Sequence, residues 1–369
     1  MNRSICFVSL NAYHLLAETQ LSFIGGAELQ QVLIGRELAN RGYSVSFITL
    51  DHGQGPVTKV GNLEVIATYK PSDGIPVIRF FFPRLLKIWQ ALNKSKADIY
   101  YVRCAGFILA VVVAWARLKN KKVIYCGAND PDFKPKELEL KYHRDKVMFF
   151  WGLKRCSAIV VQNLHQKETL QKNFMRDSVI IHNGMEKKAE IPKGKETILW
   201  VANIKPAKAP EIFIDLAMQM PNEKFVMIGG KVDGHEDLYE FVSTESAKLP
   251  NLDFKGFQPL EKTEQEFRRA KLHVNTSLHE GFPNSFLQAW RQGIPVISFL
   301  DPDQLIARNS LGRVARDKNE MLEMLKTIAN HEEKINSNSI KKFFDENLTI
   351  EKQVDKYEEL FESLMNFDG

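Results

Sequence analysis

The residues best suited to chemistry in this 369-residue chain lie in one segment, residues 278–298, with the sequence LHEGFPNSFLQAWRQGIPVIS. Glu280 precedes a Gly-Phe-Pro turn, and Pro283 supplies the backbone φ that suits a first helical position. The backbone N–H groups of Asn284 and Ser285, with the positive end of the helix dipole, would then face a ligand. A phosphate group is the ligand that such a helix start favours.

Two side chains of the same segment favour a sugar beside that phosphate. A carboxylate is repelled by a diphosphate, so Glu280 suits hydroxyl groups, which donate to its two oxygens. Gln288 follows eight residues later, about two helical turns away, where its amide could reach a second set of hydroxyls. The segment therefore predicts a nucleotide-sugar site.

A cation for the phosphate is offered by residues 201–208, VANIKPAK, which lie between a predicted strand and a predicted helix. An ammonium group at the carboxyl end of a parallel strand can neutralise a departing diphosphate. Lys208 is our candidate for that role, and an ordinary surface lysine is the alternative interpretation.

These residues require a scaffold of strands and helices. A strand at 272–276, a helix from about 284 to 291 that stops at Gly293, and a strand at 295–299 predict a βαβ unit. Strands also alternate with helices along the rest of both halves, an order typical of doubly wound parallel sheets. The charged, unpatterned stretch at 186–195 is predicted to link two domains.

The segment 278–298 resembles the C-terminal signature of the retaining glycosyltransferases of family four. The resemblance implies the α/β fold called GT-B, in which two Rossmann-like, doubly wound parallel-sheet domains face each other across a cleft. It also implies that Glu280 contacts the donor sugar, and that the position of Gln288, usually an acid, binds the nucleotide ribose. The matching residues are Glu280, Gly281, Phe282, Pro283, Asn284, Leu287, Gln288, Ala289, Gly293, Pro295 and Val296.

Two more segments carry the resemblance. Lys208 matches the lysine of the family's G-R-x-x-x-x-K segment, whereas Asn203 stands where an arginine is usual. Another cation, such as Lys205 or a basic side chain of the first domain, must then meet part of the charge. Gly25 and Gly26, in the sequence GGAE, resemble the family's N-terminal donor-phosphate and acceptor loop. From the residues alone, a loop that needs positive φ is the alternative, and GG is not the GxGxxG pattern of dinucleotide binding.

A third polar group follows the predicted strand at 122–126. Asn129 and Asp130 lie just past its carboxyl end, where ligands bind in open α/β sheets. Family members commonly carry a polar residue or histidine near this position that faces the donor sugar, which makes Asp130 a catalytic candidate. Loop and cap chemistry of the Asn-Asp-Pro sequence is the alternative.

Composition limits the binding partners and the cellular compartment that we expect for this protein. The net charge of +5 favours anionic partners, but no aromatic-plus-basic strand motif points to nucleic acid. The longest apolar run, at 107–116, is too short to span a membrane, and the start shows no targeting signal. Four cysteines without metal-ligand spacing favour reduced thiols in a cytoplasmic protein.

Residues 79–96 mix bulky apolar and basic side chains. This stretch could lie on an anionic bilayer as a peripheral anchor at the inner membrane face. A core helix with a basic solvent edge is the alternative.

We expect an N-terminal acceptor-binding domain at 1–190, a C-terminal nucleotide-sugar-binding domain at 191–345, and a helix at 346–369 that returns to the first domain. The expected reaction moves a sugar from a nucleotide diphosphate sugar to a saccharide or lipid-linked saccharide acceptor with retention of anomeric configuration. Synthesis of a cell-surface polysaccharide or glycolipid is the expected setting, and no cofactor is expected.

Two other functions fit the same residues. A non-hydrolysing sugar-nucleotide epimerase would convert the donor without an acceptor, and a non-catalytic nucleotide-sugar-binding protein is suggested by the neutral Asn203 and Gln288. A divalent metal held by Asp301 and Asp303 is a further alternative. A lysine, a helix start and a basic loop already supply positive charge, so we expect no metal.

Overall fold

The computed structural model describes residues 3–19, 25–74, 80–188, 194–329 and 335–366. It divides into two units, the first formed by Met1–His182 with Ile350–Gly369 and the second by Asn183–Thr349. The division falls at His182, eight residues before the expected boundary at 190. Residues 189–193 of the expected linker lie outside the described residues.

The first unit is built on an eight-stranded sheet with helices on both faces. Its strand order is β3-β4-β2-β1-β5-β6-β7-β8, and every pairing is parallel except that of β3 with β4. The strands are β1 (Ser4–Val8), β2 (Ser44–Thr49), β3 (Val57–Val60), β4 (Leu63–Ala67), β5 (Ile99–Arg103), β6 (Lys122–Cys126), β7 (Ala158–Val161) and β8 (Val179–Ile180). The helices are α1 (Tyr13–Leu16), α2 (Gly26–Asn40), α3 (Leu86–Ser95), α4 (Phe107–Leu118), α5 (His143–Leu153) and α6 (Leu164–Phe174).

The central strands of this sheet are mostly apolar because both of their faces are covered. All five residues of β5, IYYVR, are buried. Residues of α3 to α6 share one core with strand residues such as Tyr100 and Tyr125. The cysteines are all free; burial raises the pKa of Cys6 and of Cys156 to about 12.

Helix α3 covers most of the stretch considered as a membrane anchor. Ile88, Ala91 and Leu92 are buried in the core, while Lys87 and Lys94 are exposed. The apolar stripe of α3 therefore packs inward, as the core-helix interpretation expects. Arg79, the start of the stretch, lies outside the described residues. No helix within the described ranges has both the length and the apolar character needed to cross a bilayer.

The second unit contains a six-stranded, fully parallel sheet with the order β11-β10-β9-β12-β13-β14. Its strands are β9 (Thr197–Val201), β10 (Lys224–Ile228), β11 (Leu252–Phe254), β12 (Ala270–Asn275), β13 (Val296–Ser298) and β14 (Gly312–Val314). Its helices are α7 (Pro210–Gln219), α8 (Glu236–Ser246), α9 (Leu260–Arg269), α10 (Asn284–Trp290), α11 (Leu305–Arg308), α12 (Lys318–Ala329) and α13 (Ser337–Asn347).

The last helix, α14 (Ile350–Asn366), belongs to the first unit. Val354, Tyr357 and Phe361 form its buried stripe. The hydroxyl groups of Tyr357 and Tyr101 are 2.9 Å apart inside the core, so a strand and the distant end of the chain share a hydrogen bond. The fold class expected from the sequence, two doubly wound α/β domains, is confirmed.

Candidate functional site

Lys208 and Glu280 meet at the edge of the second sheet where its strands end. β9 and β12 are parallel neighbours, so the loops that follow them leave the same edge. Lys208 ends a short turn after β9, Glu280 lies in the loop after β12, and their side chains form an ion pair. Each of these two side chains is only 13% exposed. The structure thus brings together the two charged residues that the sequence placed at a diphosphate and a sugar.

Hydrogen bonds fix both loops around this pair. The Ser277 hydroxyl donates to Glu280 Oε1 over 2.9 Å, and the Thr276 hydroxyl donates to the carbonyl oxygen of Lys208 over 2.6 Å. The Trp200 indole N–H in turn donates to Thr276 Oγ1 over 2.9 Å. These bonds hold the Glu280 carboxylate and the backbone of Lys208, so both loops are fixed at the ends of their strands.

The turn after Glu280 leads into α10, which begins at Asn284 as the sequence predicted. Pro283, to which the sequence gave a first helical position, is the N-cap instead, with φ −65° and ψ 124°. The fixed φ of proline is also compatible with extended backbone. Phe282 is buried and its ring meets Trp290 edge-on, with centroids 6.4 Å apart, which anchors the turn to the helix.

Asn183 is a residue of this site that the sequence did not single out. Its side chain is buried, and its Nδ2 donates to the carbonyl oxygen of Phe282 over 2.8 Å and to Asn284 Oδ1 over 3.1 Å. In the sequence, only its position in His-Asn-Gly, just after the apolar residues 179–181, marks it. Asn183 holds the backbone between Glu280 and α10.

The two neutral residues of the expected nucleotide end are also at this edge. Asn203 follows β9, and its Oδ1 lies 3.6 Å from the position that a Cβ of Gly230 would occupy, just past β10. Gln288 is buried on α10, and within the described ranges its side chain has no hydrogen-bond partner. Ser285 is buried one turn earlier on the same helix.

In the first unit, Gly25 and Gly26 stand at the start of α2. The alternative interpretation was a loop that needs positive φ. It is wrong for Gly25, which is the N-cap with φ −80°. A Cβ on Gly25 would lie 1.9 Å from a carboxylate oxygen of Glu28, at the end of a flexible side chain. The Glu28 carboxylate thus folds back over the helix start that the sequence assigned to a phosphate.

Asp130 lies just after β6, where the sequence placed it. Gln166 donates from Nε2 to Asp130 Oδ1 over 3.0 Å. Burial raises the pKa of the Asp130 carboxyl, and the Gln166 hydrogen bond opposes that shift. Asn129 and Asp132 instead form a capping box for the short turn at Asp130–Phe133. Asp132 also accepts from Ala128 N over 2.7 Å and from the Tyr125 hydroxyl over 3.1 Å.

Asp301, one of the two acids considered as metal ligands, also accepts backbone hydrogen bonds. Its carboxylate oxygens receive the N–H groups of Ile306 over 2.8 Å and Ala307 over 3.2 Å, at the start of α11. Burial raises the pKa of Asp301, and these two bonds oppose the shift. Within the described ranges, no group of three or more His, Cys, Asp or Glu side chains is arranged to hold a metal ion.

The predicted residues thus form two groups, each at the carboxyl ends of the strands of its own unit. One group belongs to the second unit and contains Asn203, Lys208, Glu280, Gly281, Phe282, Pro283, Asn284, Ser285 and Gln288. The other belongs to the first unit and contains Gly25, Gly26 and Asp130.

Comparison with solved structures places this architecture in the GT-B class. Sucrose-phosphate synthase from Thermosynechococcus elongatus matches with a TM-score of 0.76 at 15% identity, covering 99% of each chain. HepE of Anabaena, in complex with UDP and glucose, matches with a TM-score of 0.74 at 15% identity, covering 97% of this chain and 99% of that one. The catalytic domain of starch synthase IV from Arabidopsis thaliana, bound to ADP and acarbose, matches with a TM-score of 0.73 at 12% identity, covering 99% of both.

Two family models cover most of the sequence. The model described as Glycosyltransferase Family 4 matches residues 24–188, and the model described as Glycosyl transferases group 1 matches residues 183–303. The chain therefore belongs to this family of glycosyltransferases. Comparison with curated proteins gave no significant match.

Proposed function

We propose that this glycosyltransferase moves a sugar from a nucleotide diphosphate sugar to a saccharide or lipid-linked saccharide acceptor with retention of anomeric configuration. The observation that supports this most is the ion pair of Lys208 and Glu280 at the ends of β9 and β12. It places an ammonium, which suits a diphosphate, beside a carboxylate, which suits sugar hydroxyls. The UDP and glucose bound to HepE and the ADP bound to starch synthase IV agree with such a donor.

Residues of the second unit bind each part of the donor. Lys208 and the backbone N–H groups of Asn284 and Ser285 hold the diphosphate, and Glu280 accepts hydrogen bonds from the sugar. The buried amide of Gln288 serves the ribose. Asn203 lies at the same strand ends but brings no charge, so we expect a second cation, such as Lys205, at the diphosphate.

The first unit binds the acceptor. Gly25 and Gly26 stand at the start of α2, and Asp130 presents a carboxylate held by Gln166. The raised pKa of Asp130 follows from burial, which suits a group that exchanges hydrogen bonds with hydroxyls. We propose that these residues position the acceptor and the sugar.

The proposed chemistry is a displacement on one face of the sugar. The acceptor oxygen forms a bond to the anomeric carbon, and the bond from that carbon to the phosphate oxygen breaks with its electron pair remaining on the phosphate. The acceptor proton passes to the departing phosphate. Lys208 neutralises the developing charge. Neither a cofactor nor a covalent sugar–protein intermediate takes part.

The test is a panel of nucleotide sugars offered with free and lipid-linked saccharide acceptors, followed by release of the nucleotide diphosphate. We expect release that depends on acceptor, an NMR spectrum of the product showing the donor's anomeric configuration, and loss of transfer in Glu280→Ala. Donor conversion without acceptor would favour the epimerase, and binding without turnover would favour a binding protein. A trapped glycosylated residue or loss of activity with chelator would contradict the proposed mechanism.

A further inference from the structure

Four consecutive helix-to-strand turns lie side by side at one edge of the first unit. Helices α3, α4, α5 and α6 lead into β5, β6, β7 and β8, which are neighbouring parallel strands. Their connecting turns therefore all lie at the amino ends of the strands. We call these turns, residues 94–98, 117–122, 154–157 and 172–177, the basic rim.

Hydrogen bonds between adjacent turns show that the basic rim is one continuous surface. Each turn is joined to the next by at least one bond. These bonds run from Lys121 Nζ to Asp98 Oδ1 (2.9 Å), from Val123 N, the residue directly after its turn, to Ser157 Oγ (3.0 Å), and from Arg176 Nη2 to Cys156 O (2.8 Å).

The basic rim concentrates positive charge. It contains ten lysines and arginines against two aspartates, whereas the whole chain has a net charge of only +5, so the rest of the chain is net negative. One of the aspartates, Asp98, is paired with Lys121. Cations near the ends of helices complement the helix dipole, which accounts for one or two per helix. Seven of the ten are exposed: Lys94, Lys96, Arg117, Lys119, Lys154, Arg155 and Lys172.

Two exposed apolar side chains stand among these cations. Leu118, the last residue of α4, is 73% exposed, and Met175, just after α6, is 84% exposed. They are the two most exposed large apolar residues in the described part of the chain. The helix dipole explains nothing about them, because they carry no charge. Covering them with an apolar layer would remove this apolar surface from water, which is favourable.

We propose that the basic rim is a docking surface for an anionic lipid bilayer. Its lysines and arginines lie at the level of the anionic headgroups, and Leu118 and Met175 enter the boundary with the acyl chains. The carboxyl ends of the strands, where Gly25 and Asp130 lie, are at the opposite edge of the same sheet and stay uncovered. The proposal does not depend on the transferase reaction.

The apolar residues favour a bilayer over a nucleic acid. Both partners are anionic, but proteins hold single-stranded nucleic acids by stacking bases on exposed aromatic rings, and Leu118 and Met175 are aliphatic. The four turns themselves contain one aromatic residue, Phe174, which is buried. A bilayer offers both a negative surface and an apolar layer beneath it, which is the combination that the basic rim presents.

The test measures sedimentation of the full chain with vesicles of phosphatidylcholine, with and without phosphatidylglycerol. We expect binding only to the anionic vesicles, weakened by salt. Each cation near such a surface contributes roughly fivefold to binding, so the triple variant Lys119→Gln, Lys154→Gln, Lys172→Gln should bind roughly 100-fold more weakly. The double variant Leu118→Ser, Met175→Ser should lose roughly tenfold.

A matched triple variant controls for net charge. Lys224, Lys248 and Lys342 are exposed lysines of the second unit, and their replacement by glutamine should leave vesicle binding unchanged. Thermal unfolding of every variant checks that the protein is folded. Absence of binding to anionic vesicles would overturn the proposal, and so would equal losses in the two triple variants. The proposal is also overturned if the double variant binds vesicles as the unaltered protein does and the protein binds an oligonucleotide through the basic rim.

Discussion

Lys208 and Glu280 form an ion pair although 72 residues separate them in the chain. Both side chains are mostly shielded from water, so each charge depends on the other for compensation. A nucleotide diphosphate sugar brings its own anion and its own hydroxyl donors. The pair can therefore open toward the donor with its charges still compensated.

Replacing Lys208 by alanine should lower kcat of transfer about 100- to 1,000-fold, the usual cost of losing one group that stabilises a transition-state charge. The diphosphate then departs without its ammonium partner. The measurement is the rate of nucleotide diphosphate release with saturating donor and acceptor.

Lys271→Ala is the matched control for that variant. Lys271 pairs with Glu223 over 2.5 Å in the same unit, at the start of β12 instead of its end. The Lys271→Ala variant should release nucleotide diphosphate at the rate of the unaltered protein. Equal rates for Lys208→Ala and the unaltered protein would remove Lys208 from the mechanism.

Asn183→Asp should weaken donor binding about tenfold or more, because a carboxylate of the same shape cannot donate to the carbonyl oxygen of Phe282. Loss of a buried hydrogen bond costs about 1–3 kcal/mol. In this variant the loop that leads to Asn284 is destabilised. Isothermal titration with nucleotide diphosphate measures the change in Kd.

Asn173→Asp separates this effect from simple loss of stability. Asn173 Nδ2 donates to the carbonyl oxygen of Phe133 over 2.9 Å in the first unit, so the same type of bond is removed elsewhere. It should lower the Tm but leave Kd unaltered. If both variants change Kd equally, Asn183 has no special relation to the donor loop.

The local parts of the fold could be predicted from the sequence because short-range rules determine them. The strand, turn and helix around Glu280 were predicted to within two residues from apolar periodicity and a glycine stop. Strand β3 was missed because Val57–Val60 is short and lies at the edge of the sheet, with little apolar surface to bury. Helix α13 (Ser337–Asn347) was missed although Asn336 caps it, since only Ile340 and Phe344 are buried.

The site was predictable as a set of residue types but not as a set of contacts. Nothing in residue spacing shows that Asn183 bonds to a carbonyl 99 residues away, or that Lys208 and Glu280 meet. Such contacts depend on strand order, and the placement of β12 beside β9 is a property of the whole sheet. The roles of Asp130 and Asp132 could not be separated either, because their difference lies in which oxygen faces which N–H.

Gly293→Ala should destabilise the second unit by about 2–3 kcal/mol. Gly293 has φ +64°, and a Cβ there would lie 2.5 Å from the carbonyl oxygen of Ser337, so both strain and overlap oppose the change. Gly234→Ala is the control, because Gly234 has φ +82° with no atom within 4 Å. It should cost roughly 1 kcal/mol, from backbone strain alone. Equal urea unfolding free energies for the two variants would refute the overlap.

Acid should destabilise the second unit through His273. Its Nδ1 lies 3.0 Å from the carbonyl oxygen of Leu199, and burial lowers the pKa of its imidazole to about 4. In the unfolded chain a histidine has a pKa near 6.5. At a pH between about 4 and 6.5 it therefore binds a proton in the unfolded chain but not in the folded protein. This contribution to stability is complete above about pH 6.5 and is lost as the pH falls toward 4, up to about 3 kcal/mol.

His273→Gln isolates this contribution from that of the carboxylates, which both proteins share. The measurement is the free energy of urea unfolding at several values between about pH 7 and pH 4. The unaltered protein should lose more stability over that window than His273→Gln does, since glutamine does not titrate. His143→Gln, at an exposed position on α5, should keep the original slope. If His273→Gln also keeps it, the buried imidazole takes up its proton as readily in the folded chain as in the unfolded one, and the inference from burial is wrong.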